Sequence, residues 1–178
     1  MAQAKRKKKF FEIEIPIVNK PTQLQAYEIE ELEGRFIKYD LTRMLKGKSI
    51  MFTGKIILEE NKPRVISKKI VLMPYFIRRM MRKGTNYVED SFDAECKNSE
   101  LKIKPFLITR RKVSRAVRKA LREKAREELI GYVKDKTSDE LFEEVIRNQL
   151  QKPLSLKLKK IYPLALCEIR ILEVKNKE

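Results

Sequence analysis

Apolar and polar residues alternate along much of the first part of the chain, which is the pattern of half-buried strands. The clearest case lies between residues 49 and 58, where one strand face would carry Ile50, Phe52, Ile56 and Leu58. The same pattern predicts strands at residues 34–39, 64–72, 86–96, 101–108 and 164–174, and either a short strand or an anchored extended segment at residues 10–15.

Helical spacing of apolar residues takes over between and after these strands. A short helix is predicted over residues 75–83, and the longest over residues 113–130, ending at Gly131 because glycine favours the residue after a helix. A third helix is predicted to begin at Thr137, where Glu140 three residues later completes a capping box. A short basic helix is predicted between the last two prolines of the chain.

Most predicted strands follow one another through turns, which favours antiparallel pairing. We therefore predict an α+β fold with an antiparallel β-barrel-like core and packed helices concentrated in the C-terminal half. Residues 1–9 are predicted to be a flexible, disordered basic arm. Residues 10–178 are predicted to form a single domain, with β-rich residues 10–110, helical residues 111–162 and a final strand at residues 164–174.

The net charge of the chain indicates what kind of partner it binds. The 178 residues include 42 Lys and Arg against 25 Asp and Glu, a net charge of +17, and such an excess repels itself unless a polyanion neutralises it. Histidine is absent, which excludes a catalytic triad, an imidazole base and a histidine-ligated metal site. The composition therefore predicts a nucleic-acid or anionic-surface partner, with no cofactor and no metal.

The cysteines and the apolar runs indicate the compartment. Cys96 and Cys167 lie far apart and form no Cys-x-x-Cys motif, so zinc and redox motifs are excluded. Each lies in an alternating apolar stretch, which favours two buried thiols in a reducing cytosol over a disulfide. No apolar run approaches the length of a membrane span, and the basic N-terminus lacks the apolar stretch of a signal peptide, so we expect a cytoplasmic protein.

The basic residues cluster most densely around the longest predicted helix. Between Arg110 and Arg126, nine residues are basic and only Glu123 is acidic. A solvated helix face usually mixes both signs to gain i,i+4 pairs, so a face of nearly one sign favours contact with RNA or DNA phosphates. The candidate residues here are Arg110, Arg111, Lys112, Arg115, Arg118, Lys119, Arg122 and Arg126.

Two further basic groups are candidate phosphate contacts. One surrounds the short helix and comprises Lys68, Lys69, Arg78, Arg79, Arg82 and Lys83. The other is the N-terminal arm, in which a polybasic run precedes an aromatic ring that could stack on a base: Lys5, Arg6, Lys7, Lys8, Lys9 and Phe10. A solvated surface and a solubilising tail are the simpler interpretations of these two groups.

Four carboxylates admit an enzymatic alternative, a metal-dependent nuclease. Glu89, Asp93 and Glu95 would share one face of a strand, and Asp90 lies between them. An ordinary solvent-facing strand would show the same pattern. No base motif and no phosphate-gripping glycine loop accompany the carboxylates, so we predict that the protein is not an enzyme.

Several segments, taken in order, resemble a ribosomal protein family. They are Lys8-Lys9-Phe10-Phe11, Gly34-Arg35 with Leu41 and Leu45, Met73 to Thr85, Phe106 to Arg111, and Ile161-Tyr162-Pro163-Leu164 followed by Cys167-Glu168-Ile169-Arg170. They are similar to the archaeal and eukaryotic small-subunit family called S-three-Ae, or S-one-e in newer naming, and most like an archaeal member. The resemblance covers about residues 7 to 174.

The resemblance implies a non-enzymatic structural protein of the small ribosomal subunit. It implies a site on the platform, contacts with small-subunit rRNA near its 3′ region and with neighbouring platform proteins, and a position close to the mRNA exit, where mRNA is a further candidate contact. We expect no membrane association and no homo-oligomer. The alternative from the charge alone is a free, non-ribosomal RNA- or DNA-binding module or RNA chaperone.

Overall fold

The structure is a computed structural model that describes residues 7–15, 17, 20–45, 47–59 and 62–175. The strands in this part of the chain are β1 (Lys9–Ile15), β2 (Lys20–Ala26), β3 (Phe36–Asp40), β4 (Ile50–Glu59), β5 (Lys62–Leu72), β6 (Tyr87–Glu89), β7 (Phe92–Glu95), β8 (Glu100–Thr109) and β9 (Leu164–Lys175). The helices are α1 (Pro74–Met80), α2 (Arg115–Val133), α3 (Ser138–Ile146) and α4 (Gln151–Leu158).

The chain divides into two compact units, and the first comprises Met1–Lys38 and Thr53–Lys68. In this unit β1 pairs antiparallel with β2 along its whole length, and it lies parallel to β5 where Glu14 is opposite Arg64. Alternate residues of the strands point into the core, as the period of two requires. The buried apolar side chains of this unit include Ile13, Ile15, Ala26, Leu32, Ile37, Ile56 and Val65.

The second unit comprises Tyr39–Phe52 and Lys69–Glu178, and β8 is its central strand. One edge of β8 pairs antiparallel with β6 and β7, and the other pairs with β9, which in turn pairs with the end of β5. Helices α2, α3 and α4 pack against these strands. The buried apolar side chains include Leu101, Ile103, Phe106, Leu107, Ile108, Leu121, Ala125, Leu129, Phe142, Val145 and Leu172.

The predicted α+β class is confirmed, and three of the helices follow β8 in the C-terminal half, as predicted. The sheet is mixed rather than wholly antiparallel, because β1 and β5 are parallel neighbours although they are distant in sequence. The strands paired within the described residues do not close into a barrel. Pairing inferred from adjacency along the chain could not show a contact of this kind.

The strand predicted over residues 86–96 is two strands, β6 and β7. They are separated at Asp90 and Ser91, where the Ser91 N–H donates to the Asp90 carboxylate at 2.9 Å. The two strands pair with β8 in one continuous register, with Tyr87 opposite Ile108 and Phe92 opposite Ile103, so the break interrupts the pairing without shifting it. Strand β2 was not predicted, because its sequence lacks an alternating apolar pattern.

The start of α3 at the Thr137 capping box is confirmed, but the predicted end of α2 at Gly131 is wrong. The helix continues to Val133, whose side chain is buried together with that of Leu129. Gly131 does not have the positive φ of a glycine that ends a helix. The next turn of α2 therefore forms because it buries an apolar side chain.

Substituting Gly131→Ala should raise the free energy of unfolding by about 0.5–1 kcal/mol, since alanine loses less backbone freedom in a helix than glycine. A Cβ atom at Gly131 would meet no other atom within 4 Å. The matched control is Gly84→Ala, because Gly84 has φ +86° and alanine would be strained there. Urea denaturation measures both, and destabilisation by Gly131→Ala would contradict a continuous α2.

Both cysteines are free thiols of intermediate exposure. The Cys96 sulfur lies 2.8 Å from the carbonyl oxygen of Ser99. Burial raises the pKa of the Cys167 thiol from 9.0 to about 12, and the neighbouring charge of Glu168 adds to the increase. Because the thiolate is the reactive form, Cys167 should be inert in the folded protein.

In a Cys96→Ser variant at pH 8, Cys167 should react with N-ethylmaleimide on the order of 10³-fold more slowly in the folded than in the urea-unfolded chain, since a pKa higher by three units leaves that much less thiolate. Mass spectrometry of the intact protein follows the reaction. The unfolded chain releases this proton more readily, so the same shift makes stability fall as pH rises from about 9 towards 12. Equal labelling rates would contradict the burial of the thiol.

Candidate nucleic-acid interface

Eight cationic side chains lie on α2 and on the segment that leads into it, and we call them the α2 basic surface. They are Arg110, Arg111, Lys112, Arg115, Arg118, Lys119, Arg122 and Arg126; all are exposed except Arg118, which is partly buried. The helix begins after Ser114, whose hydroxyl accepts the Val117 N–H at 3.4 Å. The other side of α2 is anchored in the core by Leu121, Ala125, Leu129 and Val133. The amphipathic helix thus presents this face outward.

Hydrogen bonds hold the connection between β8 and α2 in place. Thr109, at the end of β8, is fully buried, and its hydroxyl accepts the Asn86 N–H at 3.0 Å and donates to the carbonyl oxygen of Arg111 at 2.7 Å. The Asn86 side-chain oxygen accepts the Val113 N–H at 2.8 Å. These bonds fix the first turn of α2 relative to β6. The cations of the surface therefore project from a rigid base.

Most of the α2 basic surface has no carboxylate partner. Arg126 lies 3.7 Å from Asp90 and over the ring of Phe92, and Lys119 pairs with Glu123 at 3.7 Å, an exposed contact of little energetic value. Among the residues that the structure describes, the other six make no ion pair. Unpaired cations on one face accumulate repulsion that an anionic partner would relieve.

Four of these cations meet beside an aromatic ring. Arg115, Arg118, Lys119 and Arg122 line one cleft together with Tyr87 of β6. The Nε of Arg118 is buried and has no hydrogen-bond partner within the described part of the chain. A buried, unpaired donor is costly, and a guanidinium is well suited to phosphate. This cleft therefore brings four phosphate-binding side chains and one aromatic ring together.

Comparison with known proteins supplies the family. The model of the ribosomal S3Ae family matches residues 3–178, nearly the whole chain. This protein belongs to the ribosomal S3Ae family. The family inferred from the sequence is therefore confirmed. A curated relative from the archaeon Nanoarchaeum equitans, the small ribosomal subunit protein eS1, is 23% identical over 168 residues, which cover 89% of this chain and 84% of the relative.

In this S3Ae-family chain, some cations of the basic group around α1 interact with other parts of the protein. The helix ends at Met80, so Arg82 and Lys83 follow it instead of lying on its face. Arg79 donates to the carbonyl oxygen of Gly47 at 3.1 Å, and its guanidinium lies over a buried ring.

The cations around α1 also differ in whether they have a partner within the protein. The Lys69 ammonium pairs with Glu173 at 3.0 Å, and Lys68 also has a protein partner. Arg78, Arg82 and Lys83 are exposed and make no ion pair among the described residues. These three remain the best candidates near α1.

The predicted arm is only partly within the described residues, because Lys5 and Arg6 lie outside them. Lys7 and Lys8 are exposed, and the Lys8 ammonium lies 5.6 Å from the ring centre of Tyr27. Lys9 already belongs to β1 and pairs with β2. Phe10 is 63% exposed, so its ring is available for stacking.

Three of the four carboxylates of the nuclease alternative, those of Glu89, Asp90 and Asp93, lie within ion-pair distance of protein cations. Both oxygens of Glu89 lie 3.0 Å from Arg170, and Asp93 lies 2.6 Å from Lys175, whose ammonium lowers the pKa of that carboxyl. The described residues contain no cluster of three or more side chains suited to a metal ion. None of the helices described has the length and apolar character to span a bilayer.

Tyr87 was not among the residues singled out from the sequence. It is one tyrosine among six, in a strand of three residues. Only the pairing of β6 with β8, and the packing of α2 on β6, bring its ring to the arginines. A tyrosine whose chain neighbour Val88 is buried would point outward from a strand, and that is the only sequence signal for its exposure.

Proposed function

We propose that this protein is a structural constituent of the small ribosomal subunit and binds its rRNA chiefly through the α2 basic surface. One observation carries the proposal: six of the eight cations of that surface have no carboxylate partner in the described chain, on a helix whose opposite side is anchored in the core. RNA phosphates would supply the missing counter-charge. The name of the archaeal relative, a small ribosomal subunit protein, supports the same assignment.

The remaining basic groups would extend this contact. Arg78, Arg82 and Lys83 near α1, and the arm from Lys5 to Phe10, would engage further rRNA segments. Phosphate neutralisation would provide most of the affinity and make it depend on salt, whereas the fit to folded RNA would provide most of the specificity. No catalytic role is required of any residue.

The resemblance to the family supports a finer location, which forms part of the proposal. The protein would lie on the platform of the cytoplasmic small subunit, in contact with neighbouring platform proteins and close to the mRNA exit. It would be present as one copy, because binding to RNA and to unlike proteins requires no second copy of this chain.

Sedimentation of a native lysate tests the proposed function directly. Cells that make the protein are lysed at moderate and at high salt, and the protein is followed across a sucrose gradient. We expect one copy per small subunit, resistant to the salt wash. A spread over light fractions, or release at modest salt, would contradict the proposal and favour a free nucleic-acid-binding module that exchanges among partners.

A further inference from the structure

The cleft beside α2 has a composition that distinguishes it from the rest of the basic surface. Its volume is about 350 Å³, within the range typical of small-ligand pockets. Four cationic side chains and one aromatic ring line it, and no carboxylate does: Tyr87, Arg115, Arg118, Lys119 and Arg122. A surface that served only to neutralise a passing phosphate backbone would need no aromatic ring.

The ring of Tyr87 is both exposed and supported. It is 56% exposed, yet it lies in a stacked arrangement on Phe106, with the two ring centres 6.0 Å apart and the planes at 21°. Phe106 is 1% exposed and belongs to β8, with which β6 pairs. The ring is therefore held by the core, so a ligand that stacks on it need not first immobilise a flexible side chain.

The arginines are positioned by the same junction. Asn86, the neighbour of Tyr87, accepts the N–H of Val113 just before α2 begins. This bond links the aromatic ring to the helix turn that carries Arg115 and Arg118. The backbone segments that carry the ring and the cations are consequently held relative to one another, and the buried Nε of Arg118 has no hydrogen-bond partner among the described residues.

We infer that this cleft binds a single unpaired nucleotide of RNA, with the base stacked on Tyr87 and its flanking phosphates on Arg115, Arg118 and Arg122. The inference rests on the proposed function and names the RNA element that the site would accept. Bases inside a duplex are already stacked on their neighbours, whereas a base in a loop or bulge offers a free face to an aromatic side chain. The site would accordingly prefer single-stranded RNA.

Oligonucleotides test the inference on the unmodified full-length chain. The probes are a single-stranded RNA hexamer, the same hexamer with abasic sites at all positions, and a duplex with the same number of phosphates. Base stacking is worth roughly a 5- to 150-fold change in affinity per base, so the hexamer should bind that much more tightly than the abasic strand. Equal affinities for the two strands would overturn the inference.

Variants of the ring locate the effect. Tyr87→Phe keeps a stacking surface and should bind the hexamer within about twofold of the parent chain, whereas Tyr87→Leu should lose roughly 5- to 150-fold without changing the salt dependence. The matched control is Phe36→Leu, which removes an exposed ring of the other compact unit and should have no effect. A melting curve for each variant verifies that it is folded.

The chain has no tryptophan, so Tyr87→Trp introduces a single fluorescent reporter without removing the aromatic ring. Its emission should be quenched by the RNA hexamer and much less by the abasic strand. If RNA binds with the expected salt dependence but neither quenching nor the effect of Tyr87→Leu is seen, the stacking site is wrong and the proposed function stands. If the chain binds no RNA at all, both are wrong.

Discussion

Replacing Lys48 with methionine is expected to lower the free energy of unfolding by about 3–5 kcal/mol, the range for breaking a buried ion pair. The Lys48 ammonium lies 2.6 Å from the Glu168 carboxylate and 2.5 Å from the side-chain oxygen of Asn148. The two charged side chains are only 10% and 12% exposed. Removing the lysine would leave a carboxylate buried without a counter-charge.

Urea denaturation followed by circular dichroism measures this effect. The matched control is Lys157→Met, because Lys157 is mostly exposed and its pairing with Glu128 should contribute less than about 1 kcal/mol. A double variant, Lys48→Met with Glu168→Gln, should recover part of the loss, since the neutral side chain can keep its bond to Gln151. If Lys48→Met costs no more than the control, the pair is not a stabilising element of this unit.

Reversing three exposed charges of the α2 basic surface, with Arg111, Arg115 and Arg122 all changed to Glu, is expected to weaken rRNA binding by at least about a hundredfold at physiological salt. The loss of three phosphate contacts should make the slope of log affinity against log salt concentration less steep by about two to three. The new carboxylates should also repel the RNA phosphates. Arg118 is left unchanged because part of its guanidinium is buried.

The readouts for this variant are rRNA affinity at several salt concentrations and incorporation into small subunits in cells. The matched control changes Lys134, Lys152 and Lys160 to Glu, which alters the net charge equally at exposed positions outside the α2 basic surface. Both variants should unfold within about 0.5 kcal/mol of the parent chain, as surface substitutions usually do. Normal incorporation of the α2 variant would show that this face is merely solvated.

The sequence predicted well those elements whose apolar spacing or capping residues lie within the element itself. The apolar spacing of α2 and the capping box at Thr137 need no knowledge of distant residues. The end of α2 was wrongly predicted at Gly131, because a glycine inside a helix costs only about 1 kcal/mol of stability. The burial of Val133 in the next turn offsets that cost. Strand β2 has few apolar residues and is stabilised by backbone pairing with β1, which no sequence pattern shows.

The sequence predicted which basic residues the candidate site contains, but it did not predict how they are arranged in space. The sequence identified the concentration of cations around α2, but it could not show which of them the fold uses. Arg126 meets Asp90, and Lys69 meets Glu173, across long stretches of chain. Tyr87 reaches the arginines in the same way, through strand pairing and helix packing. Contacts between residues distant in sequence thus decide which basic residues remain available to a ligand.

The pairing of β8 also has a consequence for folding kinetics. Its partners β6 and β7 immediately precede it in sequence, whereas β9 follows only after all of α2, α3 and α4. Pairing between distant segments is slow, because the intervening chain must be ordered before the contact forms. During synthesis the cationic helix is therefore complete before the strand that finishes the sheet beneath it. The second unit consequently acquires its final structure late. The nascent chain passes through a stage in which the cations of α2 are exposed before β9 has paired with β8.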